Sequence, residues 1–390
     1  MKTTGEASGS YVLWGGALSL YSGKVRSYLI KKGIPYRESY PSHPRFGMCV
    51  LPAVGLFVVP VLETPEGTFV QDTTEIIEYL ESLFPEPRLM PATPVQRAVA
   101  WLVGAFGSEG LLQAAMHYRW SHRAQQEDFL RAEFGRALCG GTDRTARFSA
   151  ASATMAAMNA YLPPLGICPE TIPAIEASYE ALLDVLDTHF LHHPYLLGGR
   201  PCIADFGLMA PLFAHLSRDP VPSTLMKNRA PNVFRWTERM NLSNIGDGEF
   251  PDYGDDYLPD DAIAVTLEPL LAHIFQDWGA ELLASAAYFR RWVAENPGLP
   301  SGHIASLTQD RQVHPSLGEI SYPLRGCIIK RTCAPQTLWH LDKAAAYARA
   351  LSDGARAQFD ALVRHTGGER VMAITLERRL RREKDVLVLA

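Results

Sequence analysis

The sequence predicts an α/β domain over residues 11–88, an all-helical domain over 94–240 and a mostly helical extension over 262–390. Strand and helix signals alternate through the first region, and from Pro94 onward the apolar residues recur at helical spacing instead. An acidic, turn-rich stretch, Asn241 to Asp261, divides the second region from the third. With 390 residues, 47% hydrophobic and 20% charged, the chain can bury a sizeable core and is not of disordered composition. It contains no internal repeat.

Each element follows from its residues. Val12-Leu13-Trp14-Gly15 is a short apolar run suited to a buried strand. A polar turn leads to a helix beginning near Gly23, with Val25, Tyr28 and Leu29 at helical spacing and Gly33 placed as the C-terminal cap. Pro35 to Ser39 restarts an extended segment, and strand, helix and strand so close together imply a parallel βαβ crossover. Pro41 to Gly55 holds at most a short irregular helix near Phe46–Leu51. Phe57 to Leu62 is β-rich but contains Pro60; a proline ending a central strand, in cis, turns the preceding backbone toward a ligand. Glu66-Gly67 is a turn signal and Thr68-Phe69-Val70 the return strand. Asp72-Thr73-Thr74-Glu75 then opens a helix with core face Ile76, Ile77, Leu80 and Leu83, ended by Pro85 and Pro87.

Val95 to about Trp120 reads as one long amphipathic segment interrupted at Gly104, Gly107 and Gly110, and residues 121–165 as less regular. Helices are expected over Ile172–Leu191, Ile203–Leu216 and Ala230–Met240. In the extension, a long helix from about Val265 to Ala294 precedes a hairpin of Glu319–Tyr322 with Cys327–Arg331. Two helices follow, over Gln336–Leu351 and Gly354–His365.

The net charge of −5 draws the chain to neither nucleic acid nor anionic membrane. The one basic run, Arg378 to Arg382, is flanked by Glu377 and Glu383 and reads as a solvated helix face or an intramolecular contact. No stretch approaches the ~18 uninterrupted apolar residues of a membrane span, and Met1–Ser10 lacks the apolar core of a secretion signal. Six cysteines with no Cys-x-x-Cys point away from a disulfide scaffold or zinc ribbon and toward a reducing cytoplasm. His189, His192 and His193 end a helix, where cations favour the dipole, so they are read as structural. The acidic residues of 247–261 lack calcium-loop spacing and read as a solvated linker. No metal is expected.

Ser19-Leu20-Tyr21-Ser22-Gly23-Lys24-Val25-Arg26 resembles the Ser-Pro-Tyr/Phe-Ser-x-Lys/Arg-Val-Arg run of serine-type cytosolic glutathione transferases. Val59-Pro60-Val61-Leu62 is similar to that family's Val-Pro-x-Leu, whose proline is cis, and Gln71 to Leu80 to its Glu/Gln-Ser-x-Ala-Ile-x-x-Tyr-Leu, with Asp72-Thr73 at the acid–serine pair. Leu196 to Asp205 resembles the Leu-x-Gly-x-x-Pro-Ser/Thr-x-Ala-Asp hallmark of the helical domain. The resemblance implies a thioredoxin-like glutathione-binding domain, an all-α transferase domain, glutathione as co-substrate and a homodimer in the cytoplasm. Residues beyond about 240 fall outside the pattern and resemble an extension carried by some longer bacterial-type members.

Glutathione's thiol must become a thiolate to attack an electrophile, and a free thiol titrates near ~8.5. A hydroxyl donating to the sulfur beside a helix N-terminus favours the anion, and Ser19 follows the first strand as that role requires. Lowering the thiol pKa by two units takes roughly 2.7 kcal/mol. A hydrogen bond to a charged group, roughly 1.5–3 kcal/mol, and a helix terminus, up to ~1–2, supply it. Tyr21 and Ser22 are the alternates. By the resemblance, the Thr73 hydroxyl and N–H hold the γ-glutamyl carboxylate, Asp72 its ammonium, and the backbone of Val59, ahead of Pro60, the cysteinyl unit. In isolation Ser19 and Asp72-Thr73 are equally plain helix caps.

Asp205 is read as a folding residue, the reciprocal member of a capping box with Cys202, where the family has serine or threonine. A thiol accepts a hydrogen bond poorly, so the box is expected to be half-formed. His117, Tyr118 and Trp120 lie where the family's electrophile site opens, though at helical spacing they suit a core. The expected function is transfer of glutathione to a small hydrophobic electrophile. The alternatives are a glutathione-transferase-like binding or structural protein without catalysis, and a glutathione-dependent isomerase or lyase.

Overall fold

The structure, a computed structural model, describes residues 9–390; the expectation for Met1–Ser10 falls almost wholly outside them. Strand β1 (Tyr11–Trp14) is buried along its whole length, which explains four consecutive apolar or aromatic residues. It pairs in parallel with β2 (Tyr36–Ser39) across helix α1 (Leu20–Lys32), and antiparallel with β3 (Val61–Glu63). A turn of π-helix (Phe46–Val50) and α2 (Leu51–Val54) fill the connection to β3. Strand β4 (Phe69–Gln71) completes the order β2-β1-β3-β4, and α3 (Thr73–Leu83) packs back on α1. This is the thioredoxin-like arrangement.

Helix α4 (Pro94–Ala105), a π turn (Phe106–Gly110) and α5 (Leu112–Trp120) form one interrupted run of 27 residues that is apolar enough to span a membrane, yet its most apolar 18 residues are 83% buried inside the protein. The interruption has a packing cause. A Cβ on Gly107 would lie 2.3 Å from the backbone of Gly207, so the run meets a later helix backbone to backbone.

Residues 121–165, expected to be irregular, instead form two antiparallel helices, α6 (Arg123–Leu138) and α7 (Arg144–Asn159). Helix α7 buries only Ala151 and Met155, so it lacks the apolar stripe that marks a helix in sequence. Helices α8 (Ile172–His192) and α9 (Ile203–Pro211) match their signals, and a π turn (Leu212–Ser217) extends α9. Two prolines hide α10 (Pro220–Arg229), but both sit in its first turn, where a missing N–H costs nothing. Helix α11 (Pro231–Arg239) follows.

The acidic stretch is pinned, not a solvated linker. Arg239 binds Asp247 and Glu249, Gly199 N donates to Asp256 O at 2.8 Å, and the Asp261 carboxylate accepts from Val95 N and Gln96 N, both at 2.8 Å, capping α4. In the extension, α12 (Glu268–His273) and α13 (Gly279–Glu295) flank a π turn and precede the hairpin β5 (Glu319–Leu324)–β6 (Cys327–Thr332). Helices α14 (Pro335–Arg349), α15 (Asp353–His365) and α16 (Glu369–Met372) lead to a hairpin of β7 (Leu380–Glu383) and β8 (Val386–Leu389). The basic run is therefore a strand, not a helix face, and Arg382 in it makes an intramolecular contact. Helices α14 and α15 pack on α4, and one apolar cluster runs from Leu13 through Leu102 and Leu186 to Leu338 and Leu389.

Candidate functional site

Strand register gathers three separated segments. Trp14 pairs with Val61 and Val61 with Gln71. The loop after β1, the Val59–Pro60 bond before β3 and Asp72 after β4 therefore emerge side by side at one end of the sheet. The Val59–Pro60 bond is cis.

Ser19 is the N-cap of α1, which starts at Leu20 and not near Gly23; its Oγ accepts from Ser22 N at 3.3 Å. That bond uses a lone pair and leaves the hydroxyl proton for another acceptor. Leu20 stands where the family pattern has proline, and Arg119 of α5 fixes the loop instead. Its guanidinium donates to Leu18 O at 2.7 Å and Ala214 O at 2.8 Å, and binds Asp219 through Nε at 2.6 Å and Nη2 at 2.9 Å. The alternates are less available. Tyr21 turns its hydroxyl to Ser108 O at 3.4 Å, and burial pushes its pKa well above the usual phenol range. Ser22 is fully buried, its Oγ packed where a side chain on Gly15 would stand.

Asp72 caps α3 with φ 79° and ψ 136°, a conformation that non-glycine residues hold only under constraint and that clusters at ligand sites. Its Oδ1 accepts from Thr74 N at 2.8 Å, and its Oδ2 from Arg382 Nη2 at 2.7 Å. Burial works to raise its pKa, but Arg382, His340 and Lys24 outweigh this and hold the carboxyl below its usual range. Thr73 is buried at the first position of α3, where helix N–H groups lack intrahelical partners.

Behind Asp72 lies a group of buried titratable side chains that sequence reasoning missed. Lys24 Nζ donates to Ser108 Oγ at 3.2 Å, and burial lowers its pKa to about 8. Burial raises Glu109 to about 8 and lowers His340, 3.7 Å from it, to about 3. These residues come from α1, a helix interruption and the extension, so no local pattern unites them. Glu109 holds its proton up to about pH 8 when folded and loses it near 4.5 when unfolded. The stability that proton contributes is full below the unfolded value and is lost as the pH rises toward the folded one. Glu109→Gln is expected to show a flatter dependence of urea-derived stability on pH than wild type between about pH 5 and 9. Parallel curves would disprove this.

Cys202 N donates to Asp205 Oδ2 at 2.9 Å, and the fully buried Asp205 also accepts from Leu196 N at 3.1 Å and Trp236 Nε1 at 3.2 Å. Both arms of the box are present, so it is complete and not half-formed as the sequence suggested: the Asp205 carboxylate accepts from Cys202 N, and the Cys202 sulfur, a weak acceptor, faces the Asp205 N–H. Cys202→Ser is expected to stabilise the protein by about 0.5–2 kcal/mol, read as a higher Tm. An unchanged or lower Tm counts against it.

His117, Tyr118 and Trp120 are buried core residues. His117 bonds Ser121 Oγ at 2.9 Å and Glu176 at 3.0 Å, and the Tyr118 ring meets Tyr179 edge-on at 5.2 Å. His117, His122 and Glu176 place two imidazoles and a carboxylate within 4.8 Å of one another, a composition able to ligate a metal that the sequence pattern did not reveal. His189 is buried between Thr266 Oγ1 and Tyr195 O, and His193 bonds Tyr253.

Among known families, the glutathione S-transferase N-terminal domain matches residues 13–88 and the glutathione S-transferase C-terminal domain residues 169–239. Comparison with curated proteins gives no match. Among solved structures, the chain is similar to a glutathione S-transferase from Rhodospirillum rubrum, at 19% identity over 58% of this chain and 86% of that one, TM-score 0.34. It is similar to the beta-etherase LigF of a Sphingobium species, at 17% identity over 60% and 96%, TM-score 0.38. A third is a glutathione S-transferase from Methylobacterium radiotolerans in complex with glutathione sulfonate, at 20% identity over 65% and 99%, TM-score 0.34.

Proposed function

Because this chain carries the N- and C-terminal domains of the glutathione S-transferase family, we propose that it binds glutathione and activates the thiol with Ser19 for attack on a hydrophobic electrophile. The observation that carries this reading is the strand register that sets Ser19, Val59–Pro60 and Asp72-Thr73 at one sheet end. Glutathione lies extended across that end. Val59 pairs its backbone with the cysteinyl unit, and Thr73 and Asp72 receive the γ-glutamyl head. The Ser19 hydroxyl donates to the sulfur while its oxygen keeps capping α1, and the positive end of α1 adds to the anion's stability. The thiol proton passes to solvent, the thiolate forms a carbon–sulfur bond with the electrophile, and the leaving group departs with its electron pair.

A second reading is a binding protein without turnover, in which Ser19 serves only as the cap of α1. The protein acts in the cytoplasm as a homodimer. That dimer uses a face other than that of α4, because α14 and α15 of the same chain cover α4. The test is glutathione-affinity binding followed by conjugation of a generic aryl halide. Binding with turnover supports the transferase, and binding without turnover supports the second reading. No binding overturns both.

A further inference from the structure

The extension brings a guanidinium to the candidate site. Arg382 projects from β7 to Asp72, and its side chain is only 9% exposed. Its guanidinium lies 5.4 Å from the centre of the Trp339 ring, and its Nε and Nη1 are buried with no hydrogen-bond acceptor among the described residues. Unmet buried donors on a charged group are costly and call for a partner. Asp72 is similarly under-used: it accepts one bond from Thr74 and one from Arg382, about half of what a carboxylate can take.

Spare acceptor sites on an anion beside spare donors on a cation are complementary to one kind of ligand, an ammonium and a carboxylate carried on the same carbon. The γ-glutamyl end of glutathione is such a group. We propose that Asp72 and Arg382 together form a receptor for an α-amino-acid zwitterion, so that the C-terminal hairpin is part of the substrate site. Asp72 accepts the ammonium. Arg382, with the Thr73 N–H at the start of α3, takes the carboxylate. The assignment of the ligand as glutathione rests on the function proposed above; the receptor itself rests on the pair.

The guanidinium is held in place before any ligand arrives. Leu389 N donates to His303 O and Ala305 N to Leu387 O, both at 2.9 Å, and Arg379 binds Asp342 of α14 at 2.9 Å. Lys343 of α14 pairs with Glu78 of α3 at 2.8 Å while its ammonium lies 4.7 Å from the centre of the Trp339 ring. The β7–β8 hairpin is thus fastened to α14, and α14 to α3, which limits the ordering cost of binding.

The test is calorimetric titration of the full-length protein with glutathione, with its analogue lacking the α-carboxylate, with its analogue lacking the α-amino group, and with free glutamate. Wild type is expected to bind each analogue roughly 10- to 100-fold more weakly than glutathione. Arg382→Gln is expected to lose a similar factor toward glutathione and to stop distinguishing it from the decarboxylated analogue. Arg382→Lys, which keeps a charge on Asp72, is expected to lie between. The wild-type comparison needs no folded variant. Equal wild-type affinity for glutathione and the decarboxylated analogue overturns the proposal. So does tighter glutathione binding by Arg382→Gln, which makes the arginine a plug. Binding of glutamate without binding of glutathione retains the receptor and rejects the glutathione reading; binding of no zwitterion rejects both.

Discussion

Ser19→Ala is expected to lower kcat/KM for glutathione conjugation roughly 10- to 100-fold at pH 7, the value of one hydrogen bond to a charged sulfur. The loss should shrink as the pH rises past ~8.5, where the thiol ionises without help. Glutathione affinity should change far less, because Val59 and Asp72-Thr73 are untouched. The substitution also removes the acceptor for Ser22 N, and a stability loss of about 0.5–2 kcal/mol follows from the lost cap. The pH profile separates the two effects, since a cap contributes equally at pH 7 and pH 9. A rate loss that persists undiminished at high pH sinks thiol activation as the role of Ser19. An unchanged rate at pH 7 moves the role to Tyr21 or Ser22.

The largest effect on stability is expected from Arg119→Leu, about 3–5 kcal/mol, because it leaves Asp219 as an unpaired buried charge. Arg119 is 2% exposed and Asp219 0%. Burial alone already raises the Asp219 pKa against the pull of Arg119, so without the arginine the carboxyl must take a proton or remain uncompensated. Removing both partners in Arg119→Leu/Asp219→Leu should recover much of the loss. Urea unfolding of the two single variants and the double variant measures the coupling. A single-variant cost below about 1 kcal/mol would show that the pair is unimportant. The same arginine holds Leu18 O, so the variant is also expected to lower turnover by releasing the loop that carries Ser19.

The segments of the candidate site were legible in the sequence because each announces itself locally. Asp72-Thr73-Thr74-Glu75 is a helix start, Val59-Pro60 a strand ending in proline, and Ser19 a hydroxyl ahead of a helix. Helices α6 and α7 were not legible, because α7 buries only Ala151 and Met155 and the buried face of α6 mixes Gln126 and Glu133 with Leu130 and Phe134, which leaves no apolar stripe. Helix α10 was hidden by prolines that its first turn tolerates. The clamp on the Ser19 loop was also invisible, because Arg119 lies on another domain and gives no sign of its partner.

By itself, the sequence determined the strand and helix order of the first domain, the helical character of the rest, and the segments that meet at the sheet end. Those signals act over a few residues, through turn geometry, capping and the period of apolar side chains. Only the tertiary structure decided what the basic run near the C-terminus does. Arg382 and Asp72 are 310 residues apart and meet because β7 packs against α14, which packs on α4. Pairing at that distance depends on how whole elements dock, and docking leaves no pattern in either local sequence.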